Sequence, residues 1–235
     1  MDAMVNAERA DGCEVVGSVE VEVAGQVVWL LPGRAMWWPG GGALVVADVH
    51  VGKVDVFRRA GLPMPTGVAA ADLGRLSGLI DGVGARRLVV LGDLFHGVVG
   101  ERDAARAALG SWLAERGELE AVLVRGNHDR AAWRVAEGMG MRVVAEGEAD
   151  GPFVWRHEPA TDERGYVWAG HVHPAVVLEG WGRGRRGAEK AGCFWVGERV
   201  GVLPAFGRFT GTQAIRPGVG DRVWAAGEEA VLRVR

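Results

Sequence analysis

Four short apolar runs, residues 43–47, 88–91, 121–124 and 166–169, lack polar alternation, and each stops at a glycine or a polar residue. Val- and Leu-rich runs of that length without a period of two predict strands buried on both faces. Between the runs the spacing changes. Val68, Leu73, Leu76 and Ile80 recur at near-helical intervals over 66–81, with Gly82 behind them. Residues 102–116 are Ala-rich, carry Leu109, Trp112 and Leu113, and end at Gly117; 130–137 predicts a shorter helix. Strands that alternate with helices predict an α/β sheet whose ligands gather at the strand carboxyl ends.

The two ends read differently. Residues 18–23 alternate Val with polar residues, and 26–31 resume after Ala24-Gly25, which predicts a hairpin. Residues 222–224 and 230–235 flank Gly227-Glu228 and predict another. Both hairpins are expected in a second sheet packed on the first. The stretch 180–187, GWGRGRRG, reads as a projecting loop, and Arg183, Arg185 and Arg186 in it as solvated. With no repeat and no linker, one domain over 1–235 is expected, although the length allows two.

Composition narrows the class. Hydrophobic residues at 49% and charged residues at 24% suit a soluble protein with a buried core. No apolar run approaches the ~20 residues of a membrane span, and the polar start MDAMVNAERADG has no signal-like apolar segment. Cys13 and Cys193 lie far apart, which suits a reducing compartment, so a cytoplasmic location is expected. A net charge of −3 gives no sign of a nucleic-acid binder by itself. Basic residues are nearly all Arg, which reads mainly as compositional bias, although the planar guanidinium fork suits phosphate. The 10 Trp residues, Trp37-Trp38 included, read as core or hairpin packing rather than base-stacking surfaces.

The chemistry is carried by Asp48-Val49-His50, Gly92-Asp93, Gly126-Asn127-His128-Asp129, His157 and Gly170-His171-Val172-His173. Four of these stations directly follow the apolar runs; His157 has no clear strand before it. Taken singly, each residue has a plain reading as a turn, a cap or a surface histidine. Together, carboxylates, an amide and imidazoles at strand ends point to a metal centre. Residues i and i+2 of a strand project to one side, so Asp48 with His50, and His171 with His173, are expected to face one way. A carboxylate has two oxygens, so Asp93 can bridge two cations. Nitrogen and oxygen donors without thiolate suit Mn, Fe, Zn, Co or Mg.

The order DxH…GD…GNH(D/E)…H…GHxH over Asp48 to His173 resembles the calcineurin-like metallophosphoesterases. That resemblance implies a four-layer αββα sandwich of two mixed β-sheets flanked by helices. It implies one divalent ion, Mn first, held by Asp48, His50, Asp93 and His173, and a second held by Asp93, Asn127, His157 and His171. It implies that His128 is a catalytic histidine outside the ligand set, oriented by Asp129. The stretches DVHVGKVDVFRRAGLPMPTG (48–67), LGDLFH (91–96) and LPAFGRFTG (203–211) are similar to the ligase-associated DNA damage response endonucleases of the PdeM type. Thr212 stands where a second glycine is expected, and RHEP around His157 lacks a preceding glycine. This branch implies hydrolysis of phosphodiester bonds in DNA in a repair setting, with ligase, helicase or exonuclease partners by genomic association.

The implied reaction is attack on phosphorus by a hydroxide shared between the two cations, which lie roughly 3.5–4 Å apart in such sites. Alternatives are a nucleotide or dinucleotide phosphohydrolase and a catalytically silent binding scaffold; the intact ligand pattern argues against the scaffold. His96 occupies a position where the superfamily's protein phosphatases have GDxxDRG, which argues against that activity. It reads either as a catalytic histidine beside the scissile phosphate or as a supporting or helix-start residue. Lys53, Arg58 and Arg59 are expected on a loop next to the first ligands, either contacting substrate phosphates or forming a solvated turn.

Overall fold

The computed structural model describes residues 16–96, 103–130, 132–179 and 188–235. The loop expected at 180–187, with its arginine cluster, lies outside them, as does Cys13. A first sheet runs in chain order through β1 (Val19–Val23), β2 (Gln26–Leu31), β3 (Ala35–Trp38), β4 (Ala43–Val46), β5 (Arg87–Leu91), β6 (Glu120–Val124) and β7 (Arg142–Val144). β1 to β4 pair antiparallel and β4 to β7 parallel.

The second sheet is built from β8 (Glu148–Asp150), β9 (Phe153–Trp155), β10 (Tyr166–Ala169), β11 (Pro174–Glu179), β12 (Ala188–Val196), β13 (Val200–Val202), β14 (Gln213–Ala214), β15 (Arg222–Ala226) and β16 (Val231–Arg233). Its order is β14-β11-β12-β13-β10-β9-β8, with the β15–β16 hairpin added alongside β12. It too is mixed: β9, β10 and β13 run parallel, while β11 and β12 pair antiparallel.

The helices are α1 (Lys53–Arg59), α2 (Val68–Val83), α3 (Ala104–Ala114) and α4 (Trp133–Gly138). None of the described helices is long and apolar enough to cross a membrane. The expected α/β sandwich of two mixed sheets flanked by helices is present. Alternate residues of each central strand face different partners. Leu44, Val46, Leu88 and Val90 meet Leu73, Leu76 and Ile80 of α2 and Leu109 of α3. Val45, Val89 and Leu91 meet Phe153, Trp155, Trp168 and Phe194 of the other sheet. Both faces are therefore apolar, which is why these strands show no polar alternation. α2, α3 and α4 pack on the outer face of the first sheet.

Three expectations need correction. The amino-terminal hairpin β1–β2 belongs to the first sheet, because short turns carry it through β3 onto the edge of β4. Only the carboxyl-terminal hairpin joins the second sheet. Residues 53–59 are a helix, not a loop: Gly52 takes the left-handed conformation that starts it, and Val54 is its buried contact. A strand does precede His157, but β9 is three residues long, too short to show a period. Trp37 and Trp38 are buried in β3, as expected of packing residues.

Candidate metal centre

All five stations sit at strand carboxyl ends, where the parallel halves of the two sheets come together. Asp48 follows β4, Asp93 follows β5, Asn127 follows β6, His157 follows β9 and His171 follows β10. Pairing of β4 with β5 continues past the strands: Asp48 N donates to Gly92 O, His50 N to Asp93 O at 2.9 Å and Val51 N to Leu94 O at 2.8 Å. These bonds fix the first ligand pair against the second station.

Past the strand ends the backbone turns sharply. Seven described non-glycine residues have positive φ, and five are Asp48, His50, Asp93, His171 and His173. Such conformations cost free energy and persist where the surroundings impose them. The shared direction of Asp48 and His50 thus comes from two left-handed residues, not from strand pleat.

The side chains form two sets. In the first, one donor atom each from Asp48, His50 and His173 lie within 4.8 Å of one another. His173 Nε2 is 3.3 Å from Asp48 Oδ1, and His50 Nε2 is 3.9 Å from Asp93 Oδ2. In the second, Asn127 Oδ1 lies 2.6 Å from His157 Nε2 and 3.1 Å from His171 Nδ1, and His157 Nε2 lies 3.5 Å from Asp93 Oδ1. Asp93 thus turns one oxygen to each set. The His-x-His pair does not face one way: His171 joins the second set and His173 the first. Its left-handed backbone separates the two rings.

A cation fits this arrangement on three grounds. Asp48 Oδ1 and His50 Nε2 are buried acceptors with no hydrogen-bond partner, a costly condition that a bound cation removes. Ring nitrogens away from the centre are occupied: His157 Nδ1 donates to Leu91 O at 3.0 Å and His173 Nδ1 to Gly211 O at 3.0 Å. That leaves the Nε2 lone pairs facing inward, as in sites where a carbonyl fixes the tautomer of a ligating histidine. Finally, burial lowers the His50 pKa to about 2, so its ring is neutral and able to coordinate. Burial raises Asp93, a penalty that divalent charge offsets.

Close packing explains two of the glycines. A Cβ on Gly92 would lie 2.2 Å from His157 Nδ1, and one on Gly126 would lie 2.4 Å from the Asp93 backbone nitrogen. The room at Gly92 serves the His157 ring.

The remaining candidates divide. His128 stands at the open side, its side chain 44% exposed, with Nε2 3.9 Å from Asp93 Oδ2. Asp129 does not hold the His128 ring. It is fully buried, and its carboxylate accepts from the backbone N–H groups of Gly126, Phe95 and Leu94 at 3.1, 3.2 and 3.4 Å. Through those N–H groups it clamps the Asn127 turn to the Asp93 turn. His96 Nδ1 lies 3.4 Å from His50 Nδ1, which favours the supporting reading of His96.

Lys53 lies close enough to Asp48 and Asp93 for both to act on its charge, while burial lowers its pKa. Arg58 and Arg59 are committed elsewhere. Arg58 pairs with Asp55 and donates to Pro65 O, and Arg59 pairs with Asp103 at the start of α3. Their place on a helix carries both guanidinium groups to intramolecular partners.

Sequence reasoning missed several supports. Glu146 accepts from His157 N at 2.9 Å and Glu158 N at 2.7 Å, and so holds the station that lacks a glycine. Arg75 donates to the carbonyl of Phe206, and Arg34 to that of Ala205. A lone acid in a turn and an arginine inside a helix give no sequence signal; only the LPAFGRFTG stretch pointed to this region.

No protein-family profile and no curated protein matches the chain. Among solved structures, the crystal structure of the Pseudomonas putida nuclease MPE is similar with a TM-score of 0.79 and 36% identity, over 92% of this chain and 100% of that one. The E. coli phosphoesterase YfcE is a more distant likeness, with a TM-score of 0.44 and 16% identity over 82% of this chain and 97% of that one.

Proposed function

Because the chain belongs to the calcineurin-like metallophosphoesterase superfamily and is a metal-dependent phosphoesterase, we propose that it hydrolyses phosphodiester bonds in DNA at a two-cation centre. The observation that carries this reading is Asp93, whose two carboxylate oxygens face two separate donor sets. One set is Asp48, His50, Asp93 and His173; the other is Asp93, Asn127, His157 and His171. The nuclease named among the similar structures supports nucleic acid as the substrate. We assign the native ion to manganese and the setting to DNA repair, following the PdeM-type resemblance, and the location to the cytoplasm, following the two separated cysteines.

When bound, the cations supply a hydroxide nucleophile near neutral pH and Lewis-acid stabilisation of the phosphoryl oxygens. The chain's own residues do the rest. His128, exposed beside Asp93, donates a proton to the leaving oxygen or a hydrogen bond to the developing charge. Asp129 positions it indirectly by fixing the turn that carries it. In the tautomer that leaves the His50 Nε2 lone pair free for a cation, His50 Nδ1 donates to His96 Nδ1, 3.4 Å away. Lys53 offers its ammonium to a substrate phosphate.

The test incubates Mn-loaded protein with labelled single- and double-stranded DNA, nucleotides, dinucleotides and chromogenic mono- and diesters, beside Asp93→Ala. Metal-dependent cleavage of DNA and of the diester, lost in Asp93→Ala, is expected. Turnover confined to nucleotides or dinucleotides would move the assignment to a nucleotide phosphohydrolase. No turnover with any substrate would leave a binding scaffold.

A further inference from the structure

On its Asn127–His157 side the centre opens into a cavity of about 380 Å³, walled also by Arg125, Trp133, Glu146 and Glu158. That volume lies in the range of small-molecule sites, roughly 300–1,000 Å³. We propose that this cavity is a nucleobase subsite in which a base next to the scissile phosphate stacks on Trp133; the proposal rests on the phosphodiesterase reading and specifies its substrate.

Position is the first argument. Asn127 and His157 line the cavity and also belong to the second donor set, so a group in the cavity adjoins that set. The second is chemistry. Trp133 is a half-buried indole in the cavity wall. The guanidinium carbon of Arg125 lies 5.7 Å from its ring centroid and that of Arg134 5.0 Å. An aromatic face beside cations is the kind of surface on which bases stack without regard to sequence.

Charge decides between a base and a second phosphate. Glu146 is held by the His157 and Glu158 amides through one oxygen and by Arg156 through the other. Glu158 is exposed. Arg156 balances Glu146 and Arg125 balances Glu158, so the wall has no excess positive charge to hold a phosphate and tolerates a neutral base.

Spacing allows insertion. Bases stack about 3.4 Å apart along a strand, so a base between Trp133 and Arg125 needs about twice that. The present 5.7 Å is short by about an ångström, and Arg125 is exposed and free to move outward. The cavity on the His50 side differs. It holds about 240 Å³ and is lined largely by Val, Ala and Leu side chains such as Val54, Val68 and Leu73, with no aromatic face.

The experiment compares wild type with Trp133→Ala and Trp133→Phe, each checked for metal content and circular dichroism. Substrates are methyl p-nitrophenyl phosphate, the 3′- and 5′-(p-nitrophenyl) phosphates of thymidine, a dinucleotide, and an oligonucleotide with and without abasic sites around the scissile bond. For Trp133→Ala, the ratio of kcat/KM for a thymidine ester over the methyl ester should fall at least fivefold, in the range of about 5–150-fold for one lost stack. Trp133→Phe should keep most of it. A fall for the base-bearing oligonucleotide but not the abasic one places the base in a strand; a fall for the dinucleotide alone places it in a small nucleotide. Equal ratios in wild type and Trp133→Ala overturn the subsite. Binding of thymidine 5′-monophosphate against ribose 5-phosphate, measured by calorimetry, tests it without turnover: wild type should prefer the nucleotide, and Trp133→Ala should lose that preference. Absent turnover with retained base preference would reject the phosphodiesterase reading and leave the subsite standing.

Discussion

His173 Nδ1 donates to the carbonyl of Gly211 at 3.0 Å, and this bond ties a member of the first donor set to the loop after β13. The same loop reaches the other side of that set, where Phe206 N donates to Ala47 O at 2.8 Å and Gly207 N to Asp48 O at 3.2 Å. The loop is in turn held from α2. Arg75 pairs with the buried carboxylate of Asp72 at 3.2 Å, donates to Phe206 O, and lies 4.0 Å from the Phe206 ring centroid. The LPAFGRFTG stretch therefore supports the first donor set from behind.

Arg75→Met should strip Asp72 of its main partner and release the loop. Removing one member of a buried pair costs roughly 3–5 kcal/mol, reduced here because Arg208 also approaches Asp72 at 3.8 Å. A lower urea midpoint together with weaker binding of one Mn equivalent, read by calorimetry, is expected. A stable variant with two unchanged binding events would refute the coupling.

His128→Ala should keep both metals and lose turnover by about 10²–10⁴-fold, the usual effect of removing a general acid. Metal analysis beside kcat for a chromogenic diester checks this. Collapse of metal content would make His128 a ligand.

Gly92→Ala should disrupt the second donor set selectively, because its Cβ would meet His157 Nδ1 at 2.2 Å and its φ of +77° already disfavours a side chain. The expected result is a folded protein that retains one tight metal equivalent. Full two-metal occupancy would show that His157 can move without consequence.

Lys53→Ala should weaken DNA binding and lower the slope of log K against log salt by about one phosphate contact. Arg58→Ala and Arg59→Ala should leave that slope near the wild-type value, since both guanidinium groups are engaged within the chain. Filter binding over a salt series separates these outcomes; a slope unmoved by Lys53→Ala removes it from the phosphate path.

Cys193 sets an alkaline limit. Burial raises its thiol to about 12 and also raises Tyr166. An acid with a raised folded pKa stays protonated in the native state while the unfolded chain ionises. Its contribution to stability is thus complete below the unfolded value, about 8.5 for a thiol, and is lost as pH climbs toward 12. Urea midpoints should fall between pH 8 and 10.5, and less so in Cys193→Ala; equal falls in both would assign the loss elsewhere. In a Cys13→Ser background, Cys193 should resist alkylation until the protein unfolds.

What the sequence determined by itself was the chemistry and the strands that deliver it. Runs at 43–47, 88–91, 121–124 and 166–169 became β4, β5, β6 and β10 because burial on both faces writes itself as unbroken apolar residues. The stations stood in fixed order after them, so the donor atoms of the candidate centre could be named in advance. Tertiary structure alone decided which atom faces which. The split of His171 from His173, the turn of Asp129 toward backbone amides and the withdrawal of Arg59 depend on distant partners: Asn127 lies 44 positions from His171, Phe95 34 from Asp129 and Asp103 44 from Arg59. Local spacing carries periodicity and side-chain type. It does not carry the left-handed turns or distant carbonyls that aim each group, because those are fixed only when separate strand ends pack together.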